Sequence, residues 1–453
     1  MKSILLVSIG TVSLLVVLAA PAQLAAQEQN AVPVRYTVTD LGTLGGTFGV
    51  AYGINNAGRV GGGATLANGN QHSFLWTQSE GMQDLGTLGG PNSAAGGPNS
   101  RTQLAVLSDT TTTDPFGENF CGFGTGLICL GAVWQKGVMT ALPTLGGNNG
   151  AAIGINNRGR SMGYAENGTQ DATCQAPQVL DYEAVIWGPQ PGQIQELPPL
   201  PGDTVGFALG INDAGQVVGS SGSCANTPLV PQPIGPHAVL WDHGSPVNLG
   251  SLGGELISTA AAINNRGEIV GASDLPGDTA LHSFLWTRET GMQDLGTLPG
   301  DVNSLPGATG GINNRQQVMG WSCDSAGNCR AYIWQNGVMT DLNAAIPPTS
   351  PLYLVIAYAI NDAGEIVGQA VQKSTGDVHA FLARPVRHHG SGADTALNDV
   401  AAAPSSYTLP DPIREELAQK LYGRFAARAL GLHNIEESGE YFPSGPCDCK
   451  VHQ

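Results

Sequence analysis

The stretch Asp40-Leu41-Gly42-Thr43-Leu44-Gly45-Gly46, DLGTLGG, is written again letter for letter at Asp84–Gly90. Relatives of it follow in the order TALPTLGG, QELPPLPG, VNLGSLGG, QDLGTLPG and TDLNAAIP. A heptad that recurs in this way belongs to a repeating architecture, and two further signatures recur with it. One ends in tryptophan: HSFLW to Trp76, LGAVW to Trp134, EAVIW to Trp187, HAVLW to Trp241, HSFLW to Trp286 and AYIW to Trp334, with HAFLA to Ala383 last. The other is GIN or AIN followed by a turn, at Gly53–Gly58, Gly154–Gly159, Gly210–Gly215, Ala262–Gly267, Gly311–Asn314 and Ala359–Gly364, with a worn copy near Gly97–Ser100. Each signature occurs seven times. The period is roughly fifty residues, the arithmetic of four-stranded propeller blades.

The turn chemistry assigns the strands. In INNAG, Asn55 starts a type I turn and Gly58 supplies the left-handed residue of a bulged hairpin. GIN therefore reads as strand one, the following VVG-like run as strand two, the Trp-ending run as strand three and GMQDLG as strand four. The chain opens with a spare strand four, RYTVTDLGTL, and its last copy stops at HAFLA with no strand four behind it. If the first completes the last, no sheet edge stays open. The expected fold is thus all-β, a seven-bladed β-propeller over residues 34–385 closed by its N-terminal strand, plus a short C-terminal helix. Gly45-Gly46 and Gly89-Gly90 are expected where chain drops toward the crowded axis. Trp76, Trp134, Trp187, Trp241, Trp286 and Trp334 are expected to pack between blades.

The repeats resemble the HAF family of extracellular repeat proteins, named for the His-Ala-Phe seen here at His379-Ala380-Phe381, with variants at His72, His237 and His282. The likeness covers about Val34 to Pro385, and blade two departs from it, lacking the GIN turn and the histidine. The resemblance implies secretion and repetition; it carries no activity and no catalytic residue.

Residues 1–26 read as a secretory signal peptide: Lys2, an apolar run from Ile4 to Ala20, and cleavage after Ala22 or Ala26. The mature chain is expected to be secreted or periplasmic with no membrane span. Eight cysteines fit that compartment. Cys121 and Cys129 sit close together, Cys323 and Cys329 bracket a hairpin turn, and Cys174 and Cys224 remain as a long-range pair. Cys447 and Cys449 are left without an assignment. With 12% charged residues and a formal charge of −17, the composition excludes nucleic acid, whose binding needs clustered Lys and Arg.

Chemistry is sparse. No G-x-S-x-G elbow, H-E-x-x-H or P-loop occurs, and no catalytic, cofactor-binding or metal site is assigned. His72, His237, His282 and His379 open strand three in four copies, where Leu130, Glu183 and Arg330 stand elsewhere. Spread round a propeller they cannot share one ion at bond lengths of about 2 Å, so each is expected to make a local hydrogen bond. The Asn of each GIN turn is accounted for by turn geometry alone. Asp203, Asp274, Asp278 and Asp301 lie in loops, and the three LPGD copies read as turns ahead of calcium ligands. Insertions between strands two and three, at 108–128, 165–182 and 220–236, enlarge one sector of one rim, and loops on a rigid scaffold are where binding resides. The expected function is non-catalytic recognition of a protein or glycan there. The alternatives are a hydrolase or lyase with a pocket at the channel mouth, and a structural surface protein assembling through the tail.

That tail comprises a linker over 386–410, an amphipathic helix over 411–433 and a Cys-containing end over 434–453. Asp411 caps the helix, Pro412 lies in its first turn, and Ile413, Leu417, Leu421 and Phe425 form a stripe before the stop at Gly431. The stripe is expected to dock on the propeller's side or base, or on a partner.

Overall fold

The structure, a computed structural model, describes residues 34–229, 233–308, 310–386, 407–415 and 417. The signal-peptide segment, Leu421, Phe425, Gly431, Cys447, Cys449 and most of the linker lie outside the described residues. The fold is nearly all strand. Five antiparallel sheets of four strands each cover 93–141, 150–197, 205–248, 258–294 and 303–341, every one a meander in chain order. A sixth sheet of eight strands is two such meanders, 352–385 and 45–84, meeting at the parallel pair Phe48–Val378. Tyr36–Gly42 adds the fourth strand to the first of these, running antiparallel to Val378–Pro385 with Tyr36 opposite Pro385 and Gly42 opposite Ala380. We number the four-stranded units one (45–84) to seven (352–385 with 36–42).

In each meander the connections from strand one to two and from three to four lie at one end, the turn face. Those from two to three, and from four to the next unit, lie at the other, the loop face.

The opening heptad can now be read letter by letter. Asp40 Oδ1 accepts the Gly42 N–H at 2.9 Å, and Gly42 takes φ +73° to allow it. Leu41 is buried between units one and seven, with Leu44 packed beside it. Thr43 Oγ1 donates to Gly46 O at 2.8 Å and accepts from Gly45 N, closing the loop on itself. The glycine pair has the open backbone and the close approach expected of it: Gly45 takes φ +105°, and a Cβ at Gly46 would collide with the Thr65 side chain, as one at Gly90 would with Asp109. The second glycine packs on the end of strand two of the unit it enters. Close approach occurs in the GIN signature also, where a Cβ at Gly53 would strike the backbone of Gly97 in the next unit.

The turn-face hairpins repeat one geometry. Asn55 Oδ1 accepts from Ala57 N and Arg59 N at 3.0 and 3.1 Å, with Gly58 at φ +72°. Unit two keeps this turn, contrary to expectation. Asn99 Oδ1 accepts from Arg101 N and Gln103 N, and Thr102 takes the left-handed position at φ +59° that glycine holds elsewhere.

The turn asparagines do more than turn. Each sends its Nδ2 to the backbone carbonyl of the corresponding asparagine in the next unit: Asn55 to Asn99, Asn99 to Asn156, Asn156 to Asn212, Asn212 to Asn264, Asn264 to Asn313 and Asn313 to Asn361, at 3.0–3.2 Å. Asn361 then donates to Asn55 O at 3.1 Å, so seven steps return to the start. All seven asparagines are nine-tenths or more buried.

Between units lie small apolar clusters, each containing a signature tryptophan or its neighbour. Trp187 and Trp241 are fully buried and reach across with their indole N–H groups, to Pro143 O at 2.8 Å and Pro198 O at 2.7 Å on the preceding unit.

Candidate functional site

The loop face carries the molecule's polar chemistry, and the repeat places it there at regular intervals. His72 Nδ1 meets Asp84, His282 meets Asp294 and His379 meets Asp40, all at 2.9 Å. Each couples the second residue of strand three to an aspartate at or near the end of strand four. That aspartate is the first letter of the heptad, so it holds a histidine and a turn together. In unit four Asn248 replaces the aspartate, and His237 turns to Asp203 of the preceding loop at 2.9 Å. In unit six Arg330 replaces the histidine and binds Asp301 at 2.7 Å and Asp341 at 3.3 Å. The four histidines therefore make local bonds on separate units.

Unit three is the exception. Glu183 stands in the histidine position and Glu196 in the aspartate position, so two acids face each other where units one, five, six and seven pair base with acid. Burial first, then Glu196 and Asp181, push Glu183 up to about 8. Glu183 Oε2 and Asp181 Oδ1 are buried without a hydrogen-bond partner.

The insertions of units two and three are joined through buried carboxylates. Glu118, 1% exposed, accepts with Oε1 from Val179 N at 2.7 Å and Leu180 N at 2.8 Å, across the unit boundary. Glu166 Oε2 accepts from Asn148 N and Asn149 N at 3.0 and 2.9 Å. Between them sits the Asn149 side chain, whose Nδ2 donates to Asp114 at 2.9 Å and to Glu166 at 3.2 Å. Burial first, then the neighbouring Glu118, pushes Glu166 up to about 8, and burial raises Glu118 as well. These carboxyls act as pegs for backbone. Their oxygens accept from N–H groups inside the protein.

Disulfides complete the bracing. Cys121–Cys129 closes the unit-two insertion, Cys174–Cys224 ties the insertions of units three and four, and Cys323–Cys329 clamps the unit-six hairpin. Asp181 lies against the Cys174 and Cys224 sulfurs, but bonded to each other these offer no thiolate to a metal. The LPGD aspartates are likewise engaged by protein: Asp203 by Ser221 and His237, Asp278 by Glu255 N, and Asp301 by Arg330. Asp274 accepts from Leu256 N and Ile257 N, and burial lifts it to about 6. Beside it a cleft of about 70 Å³, lined by Asn226, Ile234, Pro236, Glu255, Leu256 and Ile257, has room for only a few waters.

On units five to seven the loop face is covered by the tail. Residues 411–415 are helical, and Leu409, Ile413 and Leu417 are buried against Leu305, Trp321, Tyr353 and Val355, with the Tyr407 ring 4.8 Å from that of Tyr353. The tail's seat is thus the loop face and not the side or base.

Charge separates along the axis between the faces. From residue 35 to 385, nineteen of twenty-six Asp and Glu lie at the loop face, but only two of twelve Lys and Arg, namely Arg330 and Lys373. Sequence reasoning placed the insertions and the histidines but not the aspartates opposite them or the Glu118–Glu166 pair. The His–Asp pairing had a signal, since copies one, five and seven carry both residues; the glutamates, alone in irregular insertions, had none.

No helix among the described residues is long and apolar enough to cross a membrane. No family model and no curated protein matches the sequence. In structure the chain is similar to an acylaminoacyl peptidase of Pyrococcus horikoshii, at 11% identity over 76% of this chain and 53% of that one, TM-score 0.43. It is similar also to an oligogalacturonate lyase in complex with manganese, at 12% identity over 78% and 97% of the two chains, TM-score 0.47. A third similar structure is the fucose-recognising six-bladed β-propeller lectin of Aleuria aurantia, at 8% identity over 74% and 90%, TM-score 0.33.

Proposed function

We propose that the chain is a secreted, non-catalytic repeat protein of the HAF type, a seven-bladed propeller closed by its N-terminal strand, which recognises a protein or glycan through its loop face. The cycle of seven asparagine bonds and the pairing of Tyr36–Gly42 with Val378–Pro385 support the closed ring. Three disulfides fit export. One observation carries the recognition reading: the three insertions are braced to one another, Glu118 by the backbone of the next insertion and Cys174 by Cys224, into a fixed relief on one face. Loops that merely tolerate growth need no such bracing, whereas a pre-organised surface does. The enclosure of the Asp114, Glu118 and Glu166 cluster, whose oxygens accept from N–H groups of the protein, favours recognition over hydrolysis.

The test combines a glycan array and a pull-down from the native secretome, using the mature chain and a Cys174→Ser, Cys224→Ser variant that lacks only the bond between the insertions of units three and four. Retention of a ligand by the first and its loss by the second is expected. Silence of the native chain in both formats overturns the reading.

A further inference from the structure

We propose that the turn face of units one to three binds an acidic polysaccharide, a polymer carrying carboxylate or sulfate groups along its length. This surface lies opposite the loop face, and its ligand does not depend on what the loop face recognises. Charge points to it first. Between Gly81 and Ile211 the chain has four cations, Arg101, Lys136, Arg158 and Arg160, and all four stand in turn-face connections. The ten acids of the same stretch all stand at the loop face. Arg59, in the hairpin of unit one, extends the row. The two acids that border the sector are held by amides, Glu80 by Gln83 at 2.8 Å and Asp213 by Asn157 at 2.9 Å. Elsewhere on this face the cations are cancelled: Arg266 pairs with Glu268, Arg288 with Asp242 and Arg384 with Glu365.

The repeat then sets the cations in order. Arg59 Nη1 donates to Thr102 Oγ1, in the hairpin of unit two. A Cβ at Gly159, in the hairpin of unit three, would come within 2.5 Å of Arg101 Nη2, and one at Gly215, in that of unit four, within 3.2 Å of Arg160 Nη1. One guanidinium thus reaches over each of three successive hairpins. Arg59 and Arg160 share a position in the turn at which units four and six carry Gln216 and Gln317, and units five and seven Glu268 and Glu365. The same scaffold is therefore cationic in one sector and neutral or acidic in the rest.

The chemistry of the sector selects the class of ligand. Arg101, Lys136, Arg158 and Arg160 are exposed and Arg59 is half-buried, so their donors face solvent. A guanidinium fork matches carboxylate and sulfate oxygens two at a time. No aromatic ring is exposed among the described residues of this sector, and the one large apolar side chain exposed there is Val138. A protein partner finds no aromatic anchor, a nucleic acid no stacking platform and a bilayer no apolar wedge. A hydroxyl-rich chain of regularly placed anions needs only charge and hydrogen bonds. The formal charge of −17 repels such a polymer from the remaining surface, which confines its docking to this sector.

The experiment measures binding of the full mature chain to immobilised alginate, a carboxylate polymer, to dextran sulfate and to neutral dextran. The native chain is expected to bind at least one of the charged polymers and not dextran, with an affinity that falls as salt rises; the preferred polymer identifies the anion. Arg101→Ala with Arg158→Ala installs the residue that units one, four and seven carry at that turn position, Ala57, Ala214 and Ala363, and should weaken binding about tenfold. Arg266→Ala with Arg288→Ala removes the same charge from the same face, but from cations already paired, and should bind within about twofold of the native chain. The Cys174→Ser, Cys224→Ser variant, altered only at the loop face, should bind the polymer as the native chain does. Equal weakening by the two arginine pairs overturns the proposal, as does loss of polymer binding in the serine variant. Failure of the native chain to bind either charged polymer, or tighter binding to phosphatidylglycerol vesicles than to both, overturns it too.

Discussion

Replacing Glu183 with glutamine should make the protein's stability less sensitive to alkali, and the size of the change follows from the structure. Glu183 is 5% exposed, faces Glu196 and Asp181, and is raised to about 8 from an ordinary value of 4.5. The folded state therefore holds a proton that the unfolded chain releases above pH 4.5. Stability contributed by that proton is complete below the unfolded value and is lost as pH rises through the folded one. The loss is about 1.4 kcal/mol per pH unit between those limits. Glu166, raised similarly, adds a parallel slope, but it is present in both proteins and cancels from their difference. Urea denaturation at pH 5, 6, 7 and 8 should give curves that diverge, with the Glu183→Gln variant gaining about 4 kcal/mol on the native protein across the three units. Parallel curves would mean that Glu183 ionises inside the fold without cost, and the account of unit three as a buried clash of acids would be wrong. Glu183→His, which restores the base found in units one, four, five and seven, should raise stability at pH 7 in the same assay.

Removing the Cys174–Cys224 bond as a double serine variant should cost about 4 kcal/mol, from the entropy of a loop of fifty residues, read as a shift in urea midpoint. Glu118→Ala strands the Val179 and Leu180 N–H groups, so a loss of about 2–5 kcal/mol and faster proteolysis within 165–182 are expected; an unchanged cleavage rate would show that the peg does not hold the insertion. Asn212→Asp keeps the oxygen that accepts from Gln216 N but sets a carboxylate against Asn264 O, and should cost about 2–4 kcal/mol. Asp213→Asn, one position on, should cost less than about 1 kcal/mol in the same thermal or urea melts, because units one, three, five and six already carry asparagine there.

Strand order, disulfide partners and the clasp by residues 36–42 were readable because each is a one-dimensional property: a period, a spacing, a missing element at one end matched by a spare at the other. The insertions resisted reading for the opposite reason. Glu118 meets Leu180 across sixty-two positions, and Asn149 joins three acids from two units, so their pairing depends on how irregular loops lie in space. No local periodicity encodes that. The tail was half legible. Its stripe announced burial, but the stripe fits any apolar trough, and only the packing of Leu409, Ile413 and Leu417 on units five to seven says which.

The asparagine cycle lies between these cases, because the sequence held its signature in plain view. The turn alone needs an acceptor two and four residues before its N–H groups, a task aspartate performs as well as asparagine. At the next position the seven copies use Asn56, Ser100, Asn157, Asp213, Asn265, Asn314 and Asp362, so aspartate is freely admitted there. At the turn position all seven are asparagine, including Asn99 in the copy that has lost its other letters. A side chain held to amide where acid would serve the turn must be donating as well as accepting, and a donor pointing away from its own hairpin needs an acceptor on another. With copies every fifty residues or so, the neighbour's corresponding carbonyl is the one acceptor that symmetry supplies to all seven at once. Turn geometry was thus half of the explanation. The amide group links the local hairpin to the assembly of the units, and it does so at the face opposite the one that carries the insertions, leaving the loop face free to vary.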